Sequence, residues 1–332
     1  VDSSPDSRAA DLVLEGGGVK GLALVGAVQS LSRAGYAFHR IAGTSAGAIV
    51  GSVLAGLVHA GESPERIVDI ARSLEYARLR DRGRVGRVFA KVGLGSVVDG
   101  LSLAFEDGVF EGEYLHGWLT STLAELGVRK FGDLRLDDDP HGYRLVVMAS
   151  DVSRQRLVRL PWDYADYGLD PDEQLVADAV RASTSIPFFF EPVSMRTPRG
   201  VSTLVDGGVL SNFPITIFDR ADGIQPRWPT FGLRLSARER DLPHTEPVAG
   251  PVSLALAVAE AMMEACDARH IDEPVHLARS IFIDTLGVSA VDFGITEEQQ
   301  AQLLAAGEKA ATRFLASWNF QDWLSKPRGG VQ

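Results

Sequence analysis

Apolar residues along the chain fall into short runs that alternate with longer stretches at helical spacing, and glycines stand at several of the joints. Asp11 to Leu14 is a brief apolar run that stops at Glu15-Gly16-Gly17-Gly18, and Leu22 to Leu31 then follows helical spacing. This predicts strand, glycine turn and helix. The order recurs at Ile41-Ala42, Gly43-Thr44-Ser45-Ala46-Gly47 and the apolar stretch Ala48 to His59, so two βα units stand in tandem. Further helices are predicted over Tyr114 to Leu126, Asp172 to Ala182, Val252 to His270 and Glu297 to Trp318. Strands are predicted over Tyr143 to Ala149, Arg156 to Leu160, Val201 to Val205, Thr230 to Leu235 and Ser280 to Asp284, with Asp151 to Gln155 as a hairpin turn. Strands alternating with helices imply an α/β fold with three layers and a mostly parallel central sheet flanked by helices.

Composition narrows the class. Hydrophobic residues at 45% and charged residues at 23% of 332 are globular averages, which exclude a disordered or multi-span membrane protein. A net charge of −11 argues against nucleic acid as a partner, since phosphate binding draws on a surplus of Lys and Arg. With Cys266 as the only cysteine there is no disulfide framework and no cysteine-based zinc site. The opening VDSSPDSRAA lacks the charged-then-apolar layout of a secretory signal. A cytoplasmic protein is expected, with peripheral membrane contact or signal-less secretion left open. From Arg78 to Lys91 the chain turns locally cationic, with Arg84 and Arg87 among Val85, Val88 and Phe89. Such a segment suits docking on anionic headgroups, or is a solvated loop.

Three glycine motifs carry the chemistry. Gly16, Gly18 and Gly21 match a dinucleotide fingerprint, but the acidic residue expected at the end of the second strand is missing, where Arg40-Ile41-Ala42-Gly43 stands. A P-loop fails because Lys20 is followed by Gly21 rather than Ser or Thr. A glycine run opening a helix also offers unpaired backbone N–H groups at the positive end of a dipole, a prospective oxyanion hole. Gly43-Thr44-Ser45-Ala46-Gly47 has the form of a nucleophile elbow, a serine on a sharp strand-to-helix turn relieved by glycines. Ile41 to Val58 is also 18 uncharged residues, near the lower limit of a membrane span, though rich in Gly, Ser and Thr. Asp206-Gly207-Gly208 closes a predicted strand and offers a carboxylate base for Ser45. A free Asp has a pKa of about 3.9, a poor match to a serine hydroxyl, so the dyad would need a desolvated hydrogen bond. His244, His270 and His276 follow Asp206, as a Ser-acid-His triad would require, but their settings read as surface or capping positions.

With EGGGVKG, GTSAG and DGG in this order, each at the end of a predicted strand, the sequence resembles the patatin-like phospholipases. The segments Gly108 to Leu115 and Ala182 to Pro192 extend the likeness, which runs from about Ala10 to Leu286. The resemblance implies that Ser45 is acylated, that Asp206 is its base, and that Gly16, Gly17 and Gly18 supply oxyanion amides. Lys20 would hold the loop's basic position, while Gly21, Gly43, Gly47, Gly207 and Gly208 support the motifs. It implies hydrolysis of fatty-acyl esters of glycerolipids with no metal or cofactor, on membrane or micellar phospholipid, with a protein or small-molecule activator not excluded. Arg84, Arg87, Phe89 and Lys91 are then the candidate membrane contacts, and Phe188, Phe189 and Phe190 could line an acyl channel. Two alternatives stand beside this: an esterase or thioesterase on soluble acyl groups, and a partner- or nucleotide-activated effector with low activity alone. The expected organisation is a disordered or extraneous N-terminus over 1–9, a catalytic domain over 10–290 with an insertion around 78–112, and a C-terminal helix and tail over 291–332.

Overall fold

The computed structural model describes residues 8–80, 112–136, 142–220, 222, 224–235, 257, 258, 261 and 273–326. Arg84, Arg87, Phe89, Lys91, His244, His270 and all but three residues of the predicted helix Val252 to His270 lie outside the described residues.

Among the described residues, eight strands make one sheet: β1 (Arg8–Leu14), β2 (Tyr36–Thr44), β3 (Leu145–Asp151), β4 (Arg156–Leu160), β5 (Val193–Thr197), β6 (Gly200–Asp206), β7 (Thr230–Arg234) and β8 (Ser280–Phe282). The order is β5-β6-β3-β2-β1-β7-β8, with β4 attached to β3. The run β3-β2-β1-β7-β8 is parallel, and β4, β6 and β5 join antiparallel. The expected mostly parallel sheet is therefore present, flanked by helices.

Alternation sends Leu12 and Leu14 of β1 to the larger core and Val13 to the smaller one on the opposite face, with Ala42, Val146, Met148, Phe213, Ile215 and Phe218. Burial on both faces explains why these strands read as short continuous apolar runs rather than alternating ones. On the larger side lie α1 (Gly21–Arg33), α2 (Ala46–His59), α3 (Ile67–Ser73), α4 (Glu113–Glu125), α5 (Val176–Ser183) and α6 (Glu297–Leu315). Helix α6 opens on a capping box between Thr296 and Gln299. It delivers Phe314 and then Trp318 edge-on to Phe231 of β7, with centroids 5.4 and 5.1 Å apart. No described helix is long and apolar enough to cross a membrane. The uncharged stretch after Ser45 is instead α2, buried on nearly every face among the strands and neighbouring helices.

Two elements differ from the sequence pattern. The expected helix from Asp172 starts only at Val176, because Asp170 caps a 3-10 turn at Pro171–Glu173 and Leu175 bridges to Lys130. Phe131 N–H donates to Gln174 O and Val176 N–H to Arg129 O, so long-range pairing holds the intervening residues extended. Strand β5 is unforeseen: it is a short edge strand paired with β6 among the described residues, with only Val193 and Met195 as apolar positions on its half-buried face.

Candidate active site

Strand β2 ends at Thr44, and Ser45 turns the chain into α2 with φ 52° and ψ −121°, a left-handed conformation that costs a non-glycine residue roughly 1–3 kcal/mol. The surroundings enforce it. A Cβ at Gly47 would collide with the Leu14 carbonyl of β1, so the first turn of α2 packs directly on strand backbone. The Ser45 N–H donates to Ser183 Oγ at 2.9 Å, and Ser183 is fully buried at the end of α5. Ser45 thus stands at the N-terminus of a fourteen-residue helix, where the dipole favours negative charge.

Strand β3 brings the carboxylate to the serine. Its first half pairs with β2, Met148 facing Thr44, and its last residues pair with β6, Ala149 facing Asp206. Because β4 occupies the opposite edge throughout, β2 and β6 share one edge of β3, and the ends of the two strands abut there. Asp206 is fully buried. Its N–H donates to Ser185 O at 2.8 Å, and its Oδ1 accepts from Gly208 N–H at 2.8 Å. Burial pushes its pKa up to about 7, partly opposed by the Ser45 hydroxyl and the Gly208 N–H. Ser45 acts on the carboxyl, yet no hydrogen bond of normal geometry reaches Oδ2, which is buried with no donor among the described residues.

The residues Ser183 to Ser185 therefore tie down both partners, Ser45 through the Ser183 hydroxyl and Asp206 through the Ser185 carbonyl. Arg181 anchors that segment by donating to Ser185 Oγ at 2.6 Å and to Glu191 O at 3.1 Å. Ser183→Ala leaves the Ser45 N–H buried without an acceptor, at a cost of about 1–3 kcal/mol. Activity should fall roughly 10-fold or more while Ser183→Thr retains most of it, measured as kcat on a chromogenic ester; equal activity in Ser183→Ala would show that the contact does not hold the elbow.

The glycine loop closes the site from the other side. A Cβ at Gly16 would lie 3.1 Å from Ser45 Cβ and collide with Asn212 Oδ1. Gly16 N–H is already given to Asn212 O at 3.2 Å, so of the three glycines expected to supply oxyanion amides it is the one already engaged. The N–H groups of Gly17 and Gly18 have no acceptor among the described residues. Gly18 has φ 56°, and a Cβ there would collide with Ala290 O. Only glycine fits that approach. Lys20 is part of the 3-10 turn Gly18–Lys20 leading into α1, half-buried, with no acidic partner among the described residues. Gly21 meets Ala46 across the site, and Gly207 lies against the Met148 carbonyl.

Ser45 opens into an apolar cleft of about 700 Å³ counting its mouth, walled by Ile49, Val50 and Val53 of α2, Ile67 of α3, and Leu115 and Trp118 of α4. The three phenylalanines divide. Phe190 lines the cleft and Phe189 packs against Phe293, with centroids 5.1 Å apart, whereas Phe188 is half exposed at φ 68°. His276, expected as a surface or capping residue, stands in the last turn of the short helix Pro274–Leu277 and not at the surface. It is buried, 2.9 Å from Arg279 Nη2, which belongs to an ion pair with Asp219. No described histidine hydrogen-bonds Ser45 or Asp206, and no group of described His, Cys, Asp and Glu could hold a metal ion.

Comparison with known proteins agrees with this geometry. A family model described as patatin-like phospholipase matches residues 12–219, from β1 past Asp206 and the Asn212 turn. The chain belongs to the patatin-like phospholipase family. As a member it is a hydrolase of lipid esters. An uncharacterized protein of Bacillus subtilis, YqhO, is 36% identical over 310 residues, covering 93% of this chain and 99% of its own. An uncharacterized NTE family protein of Mycobacterium tuberculosis is 28% identical over 211 residues, which is 63% of this chain and 28% of that protein. Among solved structures, VipD from Legionella pneumophila superposes with a TM-score of 0.53 at 19% identity, covering 95% of this chain and 68% of that one, and so shares the fold.

Proposed function

We propose that this family member cleaves fatty-acyl esters of glycerolipids through an acyl-enzyme on Ser45, with Asp206 as base and the amides of Gly17 and Gly18 as oxyanion donors. The observation that carries the reading is the convergence of a strained serine and a buried carboxyl at one edge of β3, with the serine lining an apolar cleft. Ser45 Oγ attacks the ester carbonyl as its proton passes to Asp206 Oδ2, and the oxyanion forms against the glycine-loop N–H groups. Collapse breaks the ester C–O bond and returns the proton to the leaving alkoxide. Water then attacks the acyl carbon, giving one proton to Asp206, which passes it to Oγ as the serine leaves. Burial narrows the mismatch expected from an ordinary aspartate, because a pKa near 7 makes Asp206 a stronger base that is half ionised at neutral pH and fully ionised above it. The apolar walls suit an acyl chain, at about 0.8 kcal/mol per methylene buried.

The test compares free fatty acid released from phospholipid vesicles with turnover of a water-soluble butyrate ester. The account expects both, with the rate per molecule higher on the aggregated lipid. Turnover of the soluble ester alone would favour an esterase on soluble acyl groups, and activity only after a cell extract is added would favour a partner-activated effector.

A further inference from the structure

Asn212 is buried beside the site. Its carbonyl accepts Gly16 N–H at 3.2 Å and its Nδ2 donates to Gly16 O at 3.3 Å, a two-way clamp that fixes the side-chain amide. The neighbouring Ser211 carbonyl accepts from Thr44 Oγ1 at 3.3 Å, tying the same turn to the end of β2. With Nδ2 committed, Oδ1 faces the space beside the Gly16 Cα, where a Cβ would collide with it and would also sit 3.1 Å from Ser45 Cβ. Oδ1 is buried there with no donor among the described residues. Asp206 Oδ2 is the second buried acceptor at the site in the same condition.

We infer that Asn212 Oδ1 holds the water that hydrolyses the acyl-enzyme. The inference rests on the Ser45 and Asp206 mechanism above. Acylation requires one acceptor, because the serine hydroxyl has one proton to give, and Asp206 supplies it. Deacylation brings water, which has two protons and must keep a lone pair aimed at the acyl carbon. Asp206 Oδ2 takes the proton that is transferred, and Asn212 Oδ1 accepts a hydrogen bond from the one that stays on oxygen. The new bond joins the water oxygen to the acyl carbon, the C–Oγ bond breaks, and the transferred proton passes from Asp206 to Oγ. Leaving a buried amide oxygen unmatched in the resting protein is costly, at about 1–3 kcal/mol, and that cost is relieved only when a donor enters. A side chain at position 16 would crowd both Oδ1 and Ser45.

The experiment follows p-nitrophenol release from p-nitrophenyl butyrate by stopped flow, with active sites counted by a fluorophosphonate probe. Asn212→Leu, close in size, should retain a burst of about one product per labelled site, while the steady-state rate falls roughly 10-fold to 100-fold below the wild type. Asn212→Asp keeps an oxygen acceptor and should recover part of the steady rate lost in Asn212→Leu. If burst and steady rates fall together in Asn212→Leu, Asn212 acts only by positioning the glycine loop and the inference is overturned. It is equally overturned if neither rate changes. A wild type that gives neither burst nor label removes the acyl-enzyme itself, and the inference with it.

Discussion

Ser45→Ala should lower fatty-acid release by at least about a thousandfold while leaving the fold intact. Removal of a nucleophile that acts as a unit with its base eliminates covalent catalysis and leaves only the residual rate from binding and oxyanion stabilisation, a loss of about 10³–10⁶ in comparable hydrolases. The structural cost is small, because the contact that holds the elbow is made by the backbone N–H of Ser45 to Ser183 Oγ, which alanine preserves. Gly47 against the Leu14 carbonyl also continues to force the turn. Melting temperature within a few degrees of wild type, together with loss of product, separates a missing nucleophile from a damaged fold. Retention of a tenth of the activity would remove Ser45 from the mechanism.

Asp206 sets the second expectation, in pH. Its carboxyl titrates near 7 because burial disfavours the charge, and only the ionised form can take the serine proton. The rate kcat/KM should therefore rise with pH through an apparent pKa of about 7 and lose about tenfold per unit below it. Stability moves in the opposite sense. Between the unfolded pKa near 4 and the folded value near 7, the folded state binds a proton that the unfolded state has lost, so stability declines as pH rises across that window and stays lower above it. Asp206→Asn should abolish the acid limb together with activity, by about a thousandfold. It should also melt higher than wild type at pH 8 and no higher at pH 4. Denaturation monitored at both pH values checks the sign, and a variant less stable at pH 8 would show that the ionised carboxylate is stabilising instead.

Most of the scaffold was legible because both-face burial writes continuous apolar runs into β1, β2, β3 and β7, and glycines mark the places where α1 and α2 leave the sheet. What was hidden depended on pairing between distant segments. The sequence of Asp172 to Ala182 reads as one helix, and the contacts of Gln174 and Leu175 with the Arg129 to Phe131 turn hold its start extended. Strand β5 shows only Val193 and Met195 as alternating apolar positions, too short a pattern to stand out, and it pairs along the edge that β6 offers.

The site divides in the same way. Ser45 and Asp206 were found through local motifs, but their meeting depends on β2 and β6 sharing an edge of β3, which no local spacing encodes. The equal treatment of Gly16, Gly17 and Gly18 missed a distinction made by Asn212, whose carbonyl occupies the first of those amides. Ser183 lay inside a segment already noted for its likeness to the family, yet its hydroxyl looked like any polar residue at a helix end. Only the distance to the Ser45 N–H gives it a role. Leu115 and Trp118 lay inside the helix predicted over Tyr114 to Leu126 with no role assigned, and the structure turns both toward the cleft beside Ser45.

The most direct test of the account is covalent labelling with a fluorophosphonate probe, followed by peptide mapping of the adduct. A single modification on Ser45 is predicted, absent in Ser45→Ala, slowed strongly in Asp206→Asn, and accelerating with pH through about 7 in the wild type. An adduct on any other residue, or unchanged labelling of Ser45→Ala, would contradict the dyad.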